Sequence, residues 1–145
     1  RCYWKSHFLS DLTDAMIDEA LANALANPSD RSSSSLWNFG GAVARVPAEE
    51  TAFGARDFGW MYSLDSVWER AEDDETMRGW TRAAWDAYRR HAHKGRLYLN
   101  FAGQDDDSAA ITRDALGATW DRLRQVKAVY DPTNMFRFNQ NIPPA

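Results

Sequence analysis

Leu12, Ala15, Met16, Ala20, Leu21, Ala24 and Leu25 recur at three- and four-residue spacing, which predicts one face of an amphipathic helix. Ser10 or Asp11 is placed to cap its start, and Asn27-Pro28 ends it, because a residue before proline is pushed out of the helical region. The polar run Asp30 to Ser35 is predicted as a loop, and Leu36 to Phe39 as a short strand stopped by Gly40-Gly41. Phe58, Trp60, Tyr62 and Leu64 then alternate with Asp57, Gly59, Met61, Ser63 and Asp65. That period of two predicts a strand with one strongly apolar face. Asp73-Asp74-Glu75 opens a second long helix, its acidic first turn complementing the helix dipole. Met77, Trp80, Ala84, Ala87, Tyr88 and His91 form its predicted buried stripe.

Arg96 to Phe101 is predicted as another strand, with Leu97, Leu99 and Phe101 on one face and Arg96, Tyr98 and Asn100 on the other. Asp107 or Ser108 is placed to cap a short helix to about Leu116, Gly117 interrupts, and Trp120, Leu123, Val126, Lys127 and Tyr130 mark a last helix. Asp131-Pro132-Thr133-Asn134 suits a type I turn. Two of the strands are joined without a long helix between them. The predicted fold class is therefore α+β: a mostly antiparallel sheet with helices packed on one face.

Composition narrows the function. The 145 residues carry 17 basic and 21 acidic side chains, a formal charge of −4, and no apolar run approaches the roughly 18 residues needed to span a bilayer. An acidic balance argues against nucleic acid or an anionic membrane as partner. The single cysteine, Cys2, excludes an internal disulfide and a cysteine-based zinc site. His91 and His93 stand two apart near a helix end and point in different directions, so the metal expectation is none. Asp105 to Asp107 lacks the spacing of a calcium loop. Seven tryptophans offer large flat surfaces for a core or for a planar ligand. Tyr98 and Asn100, on one face of their predicted strand, supply a hydroxyl and an amide able to orient a bound polar ring. The first residue is not Met, and the chain is read as a piece of a longer protein.

The C-terminal residues are more specific. Arg122-Leu123, Val126-Lys127, Tyr130-Asp131-Pro132, Asn134, Phe136-Arg137 and Asn139-Gln140-Asn141-Ile142-Pro143 resemble the C-terminal signature of the berberine-bridge-enzyme-like FAD-linked oxidases. Tyr98-Leu99-Asn100 is similar to that family's Y-x-N strand. The resemblance implies that residues 1–116 are part of a substrate domain and 117–145 a berberine-bridge tail, together one C-terminal unit of a larger flavoenzyme. The FAD-binding domain would lie outside this chain and be its first partner, a small molecule the second. It further implies oxidation of an alcohol or amine carbon by hydride transfer to flavin N5. Tyr98, Asn100 and Asn139 become the expected cofactor-binding residues. The chain departs from the family pattern at Phe101, where many members carry a tyrosine that serves as the base. Tyr98 and Tyr62 are then the candidate catalytic residues, the alternative being a base from outside this chain. The 145 residues alone are expected to be inactive and flavin-free, with Tyr3, Trp4, Phe136 and Phe138 exposed and driving self-association. The alternative function is a non-catalytic carbohydrate- or protein-binding module.

Overall fold

The structure, a computed structural model, describes residues 1–93, 97–102, 109–138 and 140–145. Three strands form one antiparallel sheet: β1 (Cys2–Leu9), β2 (Ser33–Asn38) and β3 (Trp60–Val67), with β3 in the middle. β1 pairs with β3 from Cys2↔Val67 to Leu9↔Trp60, and β2 from Ser33↔Asp65 to Asn38↔Trp60. This register gives each residue of β3 a fixed pair of neighbours and sorts the side chains onto two faces.

One face meets two helices, α1 (Asp14–Leu25) and α3 (Asp74–Tyr88). Leu9, Tyr62 and Leu64 from the sheet pack there with Met16 and Ala20 of α1 and with Ala84 and Tyr88 of α3. The α+β class is the one expected, with α1 and α3 on a single face of the sheet. The cap of α1 is Thr13, whose hydroxyl accepts from the Met16 amide, rather than Ser10 or Asp11. The buried stripe of α3 is Met77, Thr81, Ala84 and Tyr88. Trp80 is only partly buried, against the same core.

Two predicted elements differ. Ser33 to Ser35 belong to β2 rather than to a loop. Their hydroxyls explain it: Ser34 donates to the Tyr62 hydroxyl and Ser33 to the Asp65 carboxylate, so polar residues are satisfied inside the sheet. Tyr98 to Phe101 is not a strand; Leu99–Phe101 form a 3-10 turn, with the Phe101 amide bonded to the Tyr98 carbonyl. Arg96 lies outside the described residues.

The helices α4 (Ala109–Leu116) and α5 (Trp120–Tyr130) dock on the segment before β3. Between them Gly117 takes a left-handed φ of 54°, the break expected from sequence. The Thr119 hydroxyl bonds the Ala52 carbonyl, and Arg122 donates to the Glu49 carbonyl. Gly54 passes so close to the Leu116 carbonyl oxygen that an added Cβ would stand 2.9 Å from it, which makes glycine necessary there. A four-residue helix, α2 (Ala42–Arg45), precedes this segment and is tied to it by Arg56, which donates to the Val43 carbonyl and to the Thr51 hydroxyl.

His7 lies on the helix-bearing face of β1 and is buried. Its ring stacks on Trp85 at 4.7 Å, and its Nε2 donates to the Trp85 carbonyl at 2.8 Å. Burial pulls its pKa down to about 4; the nearby Arg89 and Lys5 push the same way, while the Trp85 carbonyl opposes. The unfolded chain protonates this ring below the usual 6.5 and the folded chain does not. His7 is therefore neutral to stability above that pH and destabilises the fold as pH falls from 6.5 to about 4. By pH 5 the loss is about 2 kcal/mol. His7→Gln, which keeps a donor for the Trp85 carbonyl, is expected to reduce the drop in thermal midpoint between pH 7 and pH 5. An unchanged drop would show that His7 does not set it.

Candidate active site

The face of the sheet turned away from α1 and α3 carries a different chemistry. Its rows, read across β1, β3 and β2, are Phe8–Met61–Trp37, Ser6–Ser63–Ser35 and Trp4–Asp65–Ser33. The first row is apolar, and its Phe8 and Met61 are covered while Trp37 is exposed. Phe8 and Met61 pack under Ala55 and Phe58, with Phe39, Phe53, Tyr98 and Phe101 against them. The next two rows are hydroxyl and carboxylate. Flat aromatic faces border them: Trp4 and Trp37 are both partly open to solvent, and their rings lie 5.2 and 6.3 Å from that of Phe101.

Asp65 is the titratable group of this floor. Its Oδ2 accepts from Ser63 Oγ at 3.1 Å and from Ser33 Oγ at 3.3 Å. Its Oδ1 is shielded from solvent and has no hydrogen-bond partner among the described residues. Half-burial pushes the carboxyl above the usual aspartate range, and the two serine hydroxyls only partly offset this. A carboxylate with one anchored and one unpartnered oxygen keeps a free proton-acceptor position, which a bound molecule reaches only where a neighbouring side chain moves aside, since Oδ1 is shielded here.

Residues 97–143 match the family model described as berberine and berberine like. An uncharacterised FAD-linked oxidoreductase of Bacillus subtilis, YvdP, is 33% identical over 109 residues, which are 74% of this chain and 23% of that protein. The monolignol oxidoreductase AtBBE-like 13 of Arabidopsis thaliana is 27% identical over 121 residues, 74% of this chain and 22% of that one. A solved chitooligosaccharide oxidase superposes with a TM-score of 0.75 at 26% identity, covering 100% of this chain and 33% of the other. The chain belongs to the berberine-bridge-enzyme-like family. It spans about a quarter of the length of the curated relatives it matches, 23% and 22% of these two.

Within this member of the family, the expected site residues are distributed as follows. Tyr98 borders the open face: its ring packs 6.3 Å from Phe8 and 5.1 Å from Phe101, and its amide donates to the Ser6 hydroxyl. Asn100 is exposed, and its side-chain amide donates to the Tyr98 hydroxyl at 2.8 Å. The two groups do meet, through a turn of 3-10 helix rather than the expected alternation of a strand. Tyr62 is placed elsewhere, and this corrects its reading as a candidate base. It projects under α1 and α3, buried, stacked on Tyr88 at 4.1 Å, and bonded by the Ser34 hydroxyl and the Asn23 amide. Burial raises its pKa, the opposite of what a phenol base needs. Asn139 lies outside the described residues.

Sequence reasoning passed over Asp65, Ser63, Ser33 and Trp37. The signal was present in the alternation of β3: Met61, Ser63 and Asp65 fall on the face opposite Trp60, Tyr62 and Leu64. His91, read as a helix-end histidine, instead bonds Glu19 at 2.7 Å and ties α3 to α1.

Proposed function

We propose that the longer protein containing this chain is an FAD-dependent oxidoreductase acting on an alcohol or amine carbon, with Asp65 as its base. The observation that carries this reading is the Oδ1 of Asp65, unpartnered among the described residues, on the face turned away from α1 and α3. The donor set fits a flavin site: the surroundings are flat rings and neutral hydroxyls, suited to a planar conjugated ring above a polar substrate. When bound, FAD supplies the hydride acceptor, at N5. Asp65 Oδ1 takes the proton from the substrate O–H or N–H. Ser63 and Ser33 keep the carboxylate from rotating, and Trp4, Trp37 and Phe101 exclude water from the proton's path. Tyr98 and Asn100 are assigned to hold the flavin or the substrate's polar end, and Asn139 to the cofactor by family resemblance.

The FAD-binding portion is assigned to sequence outside this chain, with the tail as its docking face. Val129, Tyr130, Met135, Phe136 and Phe138 are each more than 70% exposed. They are nonetheless held in place. The Asp131 carboxylate accepts from the amides of Met135 and Phe136 at 2.7 and 3.0 Å and pairs with Lys127, and the Ala145 amide bonds the Arg124 carbonyl. Ordered apolar side chains facing water mark a surface that another body covers. Trp4 is partly exposed as expected, whereas Tyr3 is buried against Trp68 and Met77 and takes no part.

Purifying the full-length protein and the 145-residue chain side by side tests the assignment. The full-length protein is expected to carry a flavin absorption band that bleaches anaerobically with an alcohol or amine substrate. The chain alone is expected to be flavin-free and inactive, and to sediment as dimers or larger species. A flavin-free full-length protein, or a monomeric short chain binding FAD stoichiometrically, would contradict it.

A further inference from the structure

The floor of the open face contains a directed chain of hydrogen bonds. Trp37 Nε1 donates to Ser63 Oγ at 3.2 Å, and Ser63 Oγ donates to Asp65 Oδ2 at 3.1 Å. The direction is forced. An indole N–H is a donor only, so Ser63 receives from Trp37 and its own hydrogen is left for the carboxylate. Ser33, four residues before Trp37 on the same face of β2, adds a second O–H to the same oxygen at 3.3 Å. Every donor converges on Oδ2 and none reaches Oδ1 among the described residues.

We infer that Trp37 and Ser63 are positioning residues for Asp65: the indole fixes the Ser63 hydroxyl, the hydroxyl fixes Oδ2, and Oδ1 alone is left to receive a proton. Calling them positioning residues rests on the reading of Asp65 as the base. The hydrogen-bond chain itself does not. Trp37 thereby serves twice, presenting a half-exposed ring to a ligand and steering a carboxylate through its N–H. Of the described elements on this face, β1 turns Cys2, Trp4, Ser6 and Phe8 to it, β2 turns Ser33, Ser35 and Trp37, and the 97–102 turn brings Tyr98 and Phe101. The titratable groups among them are the Cys2 thiol and the Tyr98 phenol; the segment packed over Phe8 and Met61 also carries Asp57, which is exposed, and Arg56, whose guanidinium is bound to the Phe53 and Val43 carbonyls and the Thr51 hydroxyl. The hydroxyl donors are therefore what stabilises the ionised Asp65 against its burial.

The test is a carbon-13 titration of the full-length protein labelled at the aspartate carboxyls, with the Asp65 signal identified by its loss in Asp65→Asn. Ser63→Ala is expected to raise the proton affinity of Asp65 about tenfold, and Trp37→Phe about two- to threefold. In the double variant the affinity is expected to match Ser63→Ala alone, because Trp37 acts only through Ser63. Ser33→Ala, an independent donor, is expected to add to either. A purely structural role for Trp37 would lower the melting midpoint without moving this titration. Should Ser63→Ala fail to fold, Trp37→Phe, which alters a half-exposed side chain, decides alone. A full-length protein without flavin would overturn the oxidoreductase reading and leave the hydrogen-bond chain to be judged by its titration. An Asp65 signal unmoved by Ser63→Ala or Trp37→Phe, or a double variant in which the two shifts add, would overturn the inference.

Discussion

Asp65→Asn in the full-length protein is expected to slow flavin reduction by substrate about 10²–10⁴-fold, the range for loss of a general base. Asparagine keeps the size of the side chain and offers an oxygen to Ser63 and Ser33, so the floor keeps its shape. It cannot accept a proton. Bound flavin should be retained, and anaerobic stopped-flow bleaching measures the rate directly. Because burial raises the Asp65 pKa, the ionised form is the active one and appears at higher pH than for an exposed aspartate. The reductive rate should therefore rise with pH through that pKa and level off above it. In Asp65→Asn this limb should vanish. Tyr62→Phe, altering a hydroxyl under the helices, should leave the rate within a few-fold of the parent. A variant at Asp65 that reduces flavin at the parent rate would exclude it as the base.

The second large effect is expected at Phe8. It is 1% exposed and sits where the sheet meets the segment that borders the site. Its ring lies 5.1 Å from Phe58, 5.6 Å from Phe39, 6.4 Å from Phe53 and 6.3 Å from Tyr98. Phe8→Ala removes the ring shared by all four and leaves a cavity, at a cost of about 3–5 kcal/mol. The unfolding midpoint should fall far more than for Leu25→Ala, an alanine substitution at an 80% exposed position. The same change should loosen Tyr98 and raise KM, since that ring rests on Phe8. A midpoint no lower than that of Leu25→Ala would show that the cluster does not anchor the border of the site.

How much of this was legible in the sequence depended on whether an element has one buried face or two. α3 announced itself through an acidic first turn and a stripe at helical spacing. β3 did so through strict alternation, because one face packs on helices and the other is polar. β1 gave no such signal: from Lys5 to Leu9 both faces are buried, so its apolar and polar residues do not alternate. The serines of β2 carry low strand propensity, and only their bonds to Tyr62 and Asp65 make the strand intelligible. At 97–101 the apolar residues do alternate, yet a 3-10 turn forms, with the Tyr98 and Phe101 rings inserted into the aromatic cluster. At the site, the Tyr62 hydroxyl lies on the apolar face of β3 and is core. The polar face held the carboxylate. The tail signature was the most specific part of the sequence, and it identified the family without naming a single group on the open face.

The position of the isoalloxazine ring in a crystal structure of the full-length protein tests the central claim most directly. The account predicts its density over Ser63 and Asp65, on the side of the sheet bordered by Trp4, Trp37 and Phe101. Density against α1 or α3, or a ring out of reach of Asp65 on any face, would contradict it.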